Sequence, residues 1–299
     1  MAYLLLSILC SSLIFLLFTQ LGRNNRALFP VVWVNYGTCL LLGEGLGTAF
    51  GEGTWRVSHV GDPAFGLLFS MGLLFVATFL LMGTATRRAG AASAATATKL
   101  SLVIPMGVAV VLYAEPLGWG LGLAVVLSIL SIYLLSSQEN LRFEPILLAV
   151  FIGSGLVDAG LNAIRQSFHS GLNDWQQSTV IFGSAFLFGS LGWLRSDWSA
   201  QWNRAALQSG IALGLINFFS IVFLLRGLYA FQGATAAFFA MNNIGILIFT
   251  AFVAWLFFKE PMNPKRWLGL IVAILAIAAA YATVLQEWLK SLVIVKGMG

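Results

Sequence analysis

Long apolar stretches alternate with short polar breaks along the whole chain, and most of the apolar stretches are about 20 residues long. A helix of about 20 residues crosses about 30 Å of hydrocarbon at about 1.5 Å per residue. The stretches are continuous rather than alternating at every second residue, which favours helices over the strands of a membrane barrel. The pattern therefore predicts an all-α integral membrane protein with ten transmembrane helices, at approximately residues 2–21, 28–48, 64–86, 90–113, 117–136, 145–165, 177–194, 207–228, 233–257 and 266–286.

Composition agrees with a lipid environment. The chain has 59% apolar residues, 9% charged residues and a mean hydropathy of +0.91, too apolar for one soluble core to hide. The net charge of +5 is modest and lies in short loops, so it does not indicate a nucleic-acid partner. Cys10 and Cys39 lie inside apolar stretches, where we expect free thiols rather than a disulfide. No basic residue precedes the first apolar stretch and no small-residue cleavage site follows it, so we interpret it as a transmembrane helix rather than a signal peptide.

The two halves of the chain repeat one plan. Residues 96–116, TATKLSLVIPMGVAVVLYAEP, have a counterpart at residues 241–261, MNNIGILIFTAFVAWLFFKEP, each ending in Glu-Pro. We predict two five-helix repeats, at 1–137 and 145–286, followed by a short tail at 287–299. Because five is odd, the second repeat enters the membrane from the opposite side, and such inverted repeats are typical of alternating-access carriers.

Basic residues predict the orientation. The loops after helices 1, 3, 5, 7 and 9 hold ten of them, whereas the other side holds five. By the positive-inside rule, both termini lie outside the cytoplasm. We expect a multi-pass protein of the plasma membrane, with the bacterial inner membrane as its location.

The repeated features also carry a resemblance to a known family. Each half has a fourth helix rich in small residues, a Glu-Pro turn and an apolar fifth helix such as WLGLIVAILA at 267–276. In these stretches, at 85–132 and 230–278, the chain resembles the EamA-like carriers of the drug/metabolite transporter superfamily. The resemblance implies a monomeric or homodimeric ten-helix carrier, with a central cavity lined by helices 1 to 4 and 6 to 9 and with helices 5 and 10 at the periphery. Family precedent favours export.

Lys99 is the charge with the largest predicted consequence. It lies close to the bilayer midplane, where a charge costs at least about 2.5 to 3.5 kcal/mol, so it should face a wet cavity or a carboxylate. Pro105 cannot donate to the carbonyl of Ser101, which predicts a kink and an available acceptor near the lysine. Two interpretations stay open: Lys99 and Ser101 bind an anionic group of the substrate, or Lys99 is permanently paired with Asp158.

A polar face is predicted on helix 6, where Asp158, Asn162 and Arg165 follow one another at helical spacing. Asp158 is too deep in its helix to reach water by snorkelling. We interpret the three as coupling residues, with Asp158 as a proton carrier or counter-charge. An internal contact between Asp158 and Arg165 is the alternative.

Further polar residues complete the predicted substrate site. Asn242 and Asn243 fall at a depth similar to that of Lys99 in the second repeat, and Asn35, Tyr36 and Asn217 lie inside other helices. A buried amide without a partner costs about 1 to 3 kcal/mol, so each amide needs either a solute or a neighbouring helix.

The two Glu-Pro pairs, Glu115-Pro116 and Glu260-Pro261, have a predicted structural role. A proline is well suited to the first position of a helix, and a carboxylate can cap the amides that a helix start exposes. We therefore expect each pair to start the helix that follows it.

No catalytic or metal-binding pattern is present. His59 and His169 lie near loops, and the sequence has no metal-spaced cluster of His and Asp. We expect a non-enzymatic protein without cofactor or metal, acting as a secondary transporter of an amino acid or other carboxylate-bearing solute. Its partners are the solute and the lipid bilayer, and coupling to protons or to exchange stays open. A flippase for a lipid-linked substrate and a membrane assembly subunit without transport are the alternatives.

Overall fold

Eleven helices make up the regular structure of the described chain. The computed structural model describes residues 2–24, 27–51, 60–113, 119–136, 144–167, 172–193, 202–230 and 235–297. The helices are α1 (Ala2–Arg23), α2 (Leu28–Ala49), α3 (Phe65–Ala89), α4 (Ala91–Leu100), α5 (Val103–Tyr113), α6 (Trp119–Ser136), α7 (Pro145–Ser167), α8 (Asp174–Trp193), α9 (Arg204–Ala230), α10 (Thr235–Leu256) and α11 (Pro264–Gly297).

These helices follow the predicted apolar stretches, with two differences. The fourth stretch is broken into α4 and α5, and α11 continues through residues 287–297, which we predicted to be a tail. Among the described residues, five segments are long and apolar enough to cross a membrane: α1, α3, Ala91–Val108, Arg204–Leu224 and Pro264–Ala282. Shorter apolar segments occur in α6, α7 and α10. The chain is thus an all-helical, multi-pass membrane protein.

Asparagine side chains define several helix starts. At α8, Asn173 Oδ1 accepts the N–H of Gln176 at 2.8 Å, and Gln176 Oε1 accepts the N–H of Asn173 at 3.1 Å, which is a reciprocal capping box. Asn203 accepts the N–H of Ala206 at 2.8 Å near the start of α9. These bonds satisfy amides that the first helical turn leaves free.

The short helix α4 lies at the centre of the bundle. It contacts α1, α3, α6, α7, α10 and α11. Small side chains permit this number of close neighbours, because they let helix backbones approach within a membrane. Its buried alanines are Ala91, Ala92, Ala94, Ala95 and Ala97.

Two pairs of helices from opposite halves pack at backbone distance. A Cβ added at Gly72 of α3 would lie 2.5 Å from the backbone nitrogen of Ala185 in α8. A Cβ added at Gly214 of α9 would lie 2.8 Å from the carbonyl oxygen of Asn35 and 2.5 Å from Cβ of Thr38, both in α2. Only glycine fits at these positions without moving a helix.

Candidate functional site

Lys99 and Asp158 bring opposite charges to the interior of the bundle. Lys99 lies eight residues after Ala91, about 12 Å along its helix, and Asp158 lies thirteen residues after Pro145, about 20 Å along α7. Helices α4 and α7 pack against each other, and the two groups interact electrostatically. Each charge therefore has an opposite charge near it, as a membrane interior requires.

The two charged side chains are accessible although protein surrounds them. Lys99 is partly buried and Asp158 is exposed. Asp158 interacts with Lys99 of α4 and Tyr281 of α11, so its carboxylate faces the bundle rather than lipid. Among the described side chains, no hydrogen bond or ion pair joins Lys99 directly to Asp158. Lys99 and Asp158 therefore lie among the same helices without a direct bond between them.

Two polar side chains extend this site. The hydroxyl of Tyr281 in α11 interacts with the Asn243 side chain in α10 and electrostatically with Asp158. Helix α11 contacts both α4 and α10. The resemblance implied a peripheral tenth helix, yet α11 supplies Tyr281. The sequence signal for it was a single polar aromatic residue within the apolar run LAIAAAYATVL at 275–285.

Asn242 lies beside Asn243 but in a different environment. It is 2% exposed, and its Oδ1 has no hydrogen-bond partner among the described groups. A buried amide oxygen without a donor is unusual in a folded protein. Within the described part of the chain, this oxygen is therefore an acceptor without a donor.

Asn35 and Asn217, predicted to bind substrate, bind each other. Asn217 Nδ2 donates to Asn35 Oδ1 at 3.2 Å across the contact between α2 and α9, and the Cys39 thiol donates to the carbonyl of Gly214 at 3.4 Å. Asn35 is 0% and Asn217 is 5% exposed. Tyr36, which we predicted to line the cavity, is also fully buried, with its hydroxyl donating to the carbonyl of Phe75 at 2.9 Å. These three side chains join helices in this structure.

The break between α4 and α5 differs from the predicted kink. The carbonyl of Ser101, which we expected Pro105 to leave available, accepts the N–H of Ile104 at 2.9 Å. The Ser101 hydroxyl donates to the carbonyl of Thr98 at 2.6 Å. Pro105 is the third residue of α5, where a missing N–H disrupts no helical bond. The prediction of a free carbonyl was wrong because a tight turn supplies a local donor.

The second Glu-Pro pair does not start the helix that follows it. Helix α11 begins at Pro264 rather than Pro261, and Asn263 Oδ1 accepts the N–H of Arg266 at 2.9 Å there. Glu260 instead accepts the N–H of Ala91 at 2.8 Å, at the start of α4 in the other half. The expected capping role is present, but on a helix distant in sequence.

Four predicted positions lie outside the described residues. They are Glu115 and Pro116, and the side chains of Asn162 and Arg165.

Comparison with known proteins agrees with this architecture. Residues 166–282 match the sequence model of the EamA-like transporter family. The matched segment, here called the EamA-like domain, lies in the second half of the chain and is similar to that family. This match confirms the predicted resemblance and is consistent with the drug/metabolite transporter superfamily.

Two longer matches accompany the EamA-like domain. An uncharacterized protein of Haemophilus influenzae is 26% identical over 291 residues, which are 93% of this chain and 97% of that protein. A solved structure, described as the crystal structure of a protein, superposes with a TM-score of 0.55 at 14% identity, covering 93% of this chain and 98% of the other. At that identity the second likeness shows the fold alone.

The EamA-like domain indicates a membrane transporter, and the family is generally non-enzymatic. Among the described residues, no group of three or more His, Cys, Asp and Glu side chains is placed to hold a metal ion. The polar groups that the fold brings near one another inside the bundle are Lys99, Asp158, Asn243 and Tyr281.

Proposed function

We propose that the protein is a secondary transporter that exports a small polar metabolite, an amino acid or other carboxylate-bearing solute, by alternating access. The observation that carries the proposal is the accessible pair of opposite charges, Lys99 and Asp158, inside the bundle. A buried pair with a purely structural role would be expected to close into direct contact, because separated charges in a low-dielectric interior gain less from each other.

Each group has a role in this proposal. The Lys99 ammonium binds the carboxylate of the solute, since a charged hydrogen bond is worth about 1.5 to 3 kcal/mol. Asp158 is the counter-charge that balances Lys99 when the site is empty, and it carries the coupling proton if transport is proton-linked. Asn243 and Tyr281 supply neutral hydrogen bonds, and the unpartnered Asn242 Oδ1 accepts a donor of the solute.

Alternating access rests on two inverted repeats, 1–137 and 145–286, and the contacts between helices support them. If each helix of the first half corresponds to one of the second, α1 to α7, α2 to α8, α3 to α9, α4–α5 to α10 and α6 to α11, the contacts occur in matching pairs. The contact of α2 with α9 matches that of α3 with α8, α1 with α9 matches α3 with α7, and α1 with α10 matches α4 and α5 with α7.

Close packing occurs in one of these matching pairs of contacts, α1 with α10 and α5 with α7. A Cβ at Gly245 of α10 would lie 2.4 Å from Cδ1 of Ile8 in α1. In the matching contact, a Cβ at Gly155 of α7 would lie 2.3 Å from Cδ1 of Ile104 in α5. Both contacts are close, but the isoleucine and the glycine exchange places between the corresponding helices, so the likeness is one of packing distance and not of residues. The excess of basic residues in the loops after helices 1, 3, 5, 7 and 9 indicates the orientation. We propose on this basis that the chain lies in the bacterial inner membrane with both termini outside the cytoplasm.

Binding and transport of a solute panel test the proposal. Purified protein is screened by thermal shift against amino acids, other carboxylates, nucleosides, sugars and cations, and any solute that stabilises it is assayed in proteoliposomes. We expect a carboxylate-bearing solute to bind, and Lys99→Met to abolish binding while the protein still elutes as a folded species. Lys265→Met is the matched control, because Lys265 is exposed at the start of α11. Wild-type transport by Lys99→Met would contradict the proposed role of Lys99.

A further inference from the structure

The turn between α10 and α11 reaches across the bundle to hold the start of α4. Glu260 lies in this turn, outside the membrane-spanning segments, and its Oε1 accepts the N–H of Ala91 at 2.8 Å and interacts with the N–H of Ala92. Gly90 has φ of 92°, and a Cβ there would lie 2.6 Å from Glu260 Oε2. Glycine is therefore favoured at position 90 for two reasons: it adopts a positive φ without strain, and its lack of a Cβ leaves room for the Glu260 carboxylate.

Two arginines tie the same turn to other helices. Arg266 Nη1 donates to the carbonyl of Pro261 at 2.9 Å, and its Nη2 donates to the carbonyl of Ala89 at 3.5 Å. Arg23, at the end of α1, donates to the carbonyl of Phe258, and its guanidinium lies 4.9 Å from the centre of the Phe258 ring. The turn is thus bonded to the end of α1, to the junction of α3 and α4, and to Arg266 in the first turn of α11.

We propose that Arg23, Glu260 and Arg266, here called the clasp, close one end of a solute path beside Lys99 and Asp158 and must release the start of α4 for solute to pass. This inference rests on the proposed transport function. Lys99 lies on the helix that the clasp holds, eight residues from Ala91. The bonds of Arg23 and Glu260 join α1 and the start of α4 to the turn between α10 and α11. None of these helices belongs to the closely packed pairs α2–α9 and α3–α8, so their relative position can change in alternating access.

The chemistry of the clasp makes it reversible. Its bonds are polar and lie at an end of the bundle, so water can replace them without exposing the apolar core. Burial raises the pKa of Glu260, while the two amide bonds, Arg266 and Arg23 act in the opposite direction and only partly offset it. Because the desolvation of this half-buried carboxylate is only partly compensated, its bond to the Ala91 N–H is weak enough to break and re-form.

Access to a reporter cysteine tests the clasp without any solute. The reporter is Thr98→Cys, a partly buried position next to Lys99, in a Cys10→Ala background that retains Cys39, which is 0% exposed. The protein without the reporter gives the background signal. A membrane-impermeant maleimide is added from each side of proteoliposomes, and the labelling rate is measured.

We expect Glu260→Ala and Arg266→Ala each to raise the rate from the clasp side by about tenfold, the factor that corresponds to losing about 1.4 kcal/mol from a charged hydrogen bond. Glu260→Gln keeps an acceptor for the Ala91 N–H and should raise the rate by a smaller factor, which provides a test if the alanine variants do not fold. Lys265→Ala, which removes the exposed charge next to Arg266, is the matched control and should leave the rate unchanged.

Unchanged labelling in every folded clasp variant would overturn the inference and leave Glu260 as a static helix cap. This outcome is separable from failure of the proposed function, because labelling requires no transported solute. If the clasp variants transport solute and label at the wild-type rate, the clasp inference is rejected and the transport proposal stands. If no solute binds but the clasp variants label faster, the proposed substrate class is rejected and the clasp inference stands.

Discussion

Replacing Asn217 with leucine, which has nearly the shape of asparagine, tests whether the Asn35–Asn217 pair is a contact between helices. The substitution removes the donor that lies 3.2 Å from Asn35 Oδ1. Asn35 Nδ2 already has no partner among the described groups, so the Asn35 side chain would keep only the weak contact with Cys39 Sγ at 4.0 Å.

The expected loss follows from that geometry. A buried polar group without a partner costs about 1 to 3 kcal/mol, whereas hydrogen bonds between transmembrane helices average about 0.6 kcal/mol and reach about 1.7 kcal/mol. We expect Asn217→Leu to lower the free energy of unfolding by about 1 to 2 kcal/mol. Replacing both partners removes the unsatisfied group, so Asn35→Leu combined with Asn217→Leu should be more stable than the sum of the single losses by about 0.6 to 1.7 kcal/mol.

Denaturant unfolding in detergent, followed by tryptophan fluorescence, measures these four proteins as a double-mutant cycle. Strictly additive losses would refute the reasoning, since they would mean that the two amides do not act on each other. Loss of solute binding in a well-folded double variant would also contradict a purely structural role, because it would indicate that Asn35 and Asn217 bind the substrate, as the sequence predicted.

The remaining predictions concern packing, coupling and pH. Gly72→Ala should lower the free energy of unfolding by about 1 to 3 kcal/mol, because its Cβ would lie 2.5 Å from the backbone nitrogen of Ala185; a melting temperature equal to wild type would contradict it. Asp158→Asn should flatten the pH profile of transport in proteoliposomes if Asp158 carries the coupling proton, and a wild-type profile would assign that role elsewhere. Because burial raises the pKa of Glu260, the folded state binds its proton more tightly than the unfolded state does, so this group stabilises the fold more as the pH falls from about 7 towards about 4.3. The gain in melting temperature over that range should be larger in wild type than in Glu260→Gln.

The course of the backbone could largely be predicted because it depends on local properties. A continuous apolar run of about 20 residues has few ways to satisfy its backbone in lipid other than a helix. Pro105 likewise indicated the interruption of the fourth span. The extension of α11 to Gly297 was missed because its last residues mix charged and apolar side chains, and hydropathy alone does not distinguish a tail from a continued helix.

The partners of polar side chains could be predicted only in part, since they depend on how each helix is rotated. Asn35 and Asn243 are both amides within apolar runs, yet the first meets Asn217 and the second meets Tyr281. Glu260 was predicted to cap a helix, but the sequence around it could not indicate a helix that begins 169 residues earlier, at Ala91. Tertiary packing decides these contacts.

The glycines of α3 and α9 have a mechanical consequence. At Gly72 and Gly214 the backbones of α3 and α8, and of α2 and α9, are too close to slide past one another. If the protein works by the proposed alternating access, α3 has to move with α8, and α2 with α9, as two rigid pairs that each contain one helix from either half. Any bending would then have to occur between these pairs and the other helices.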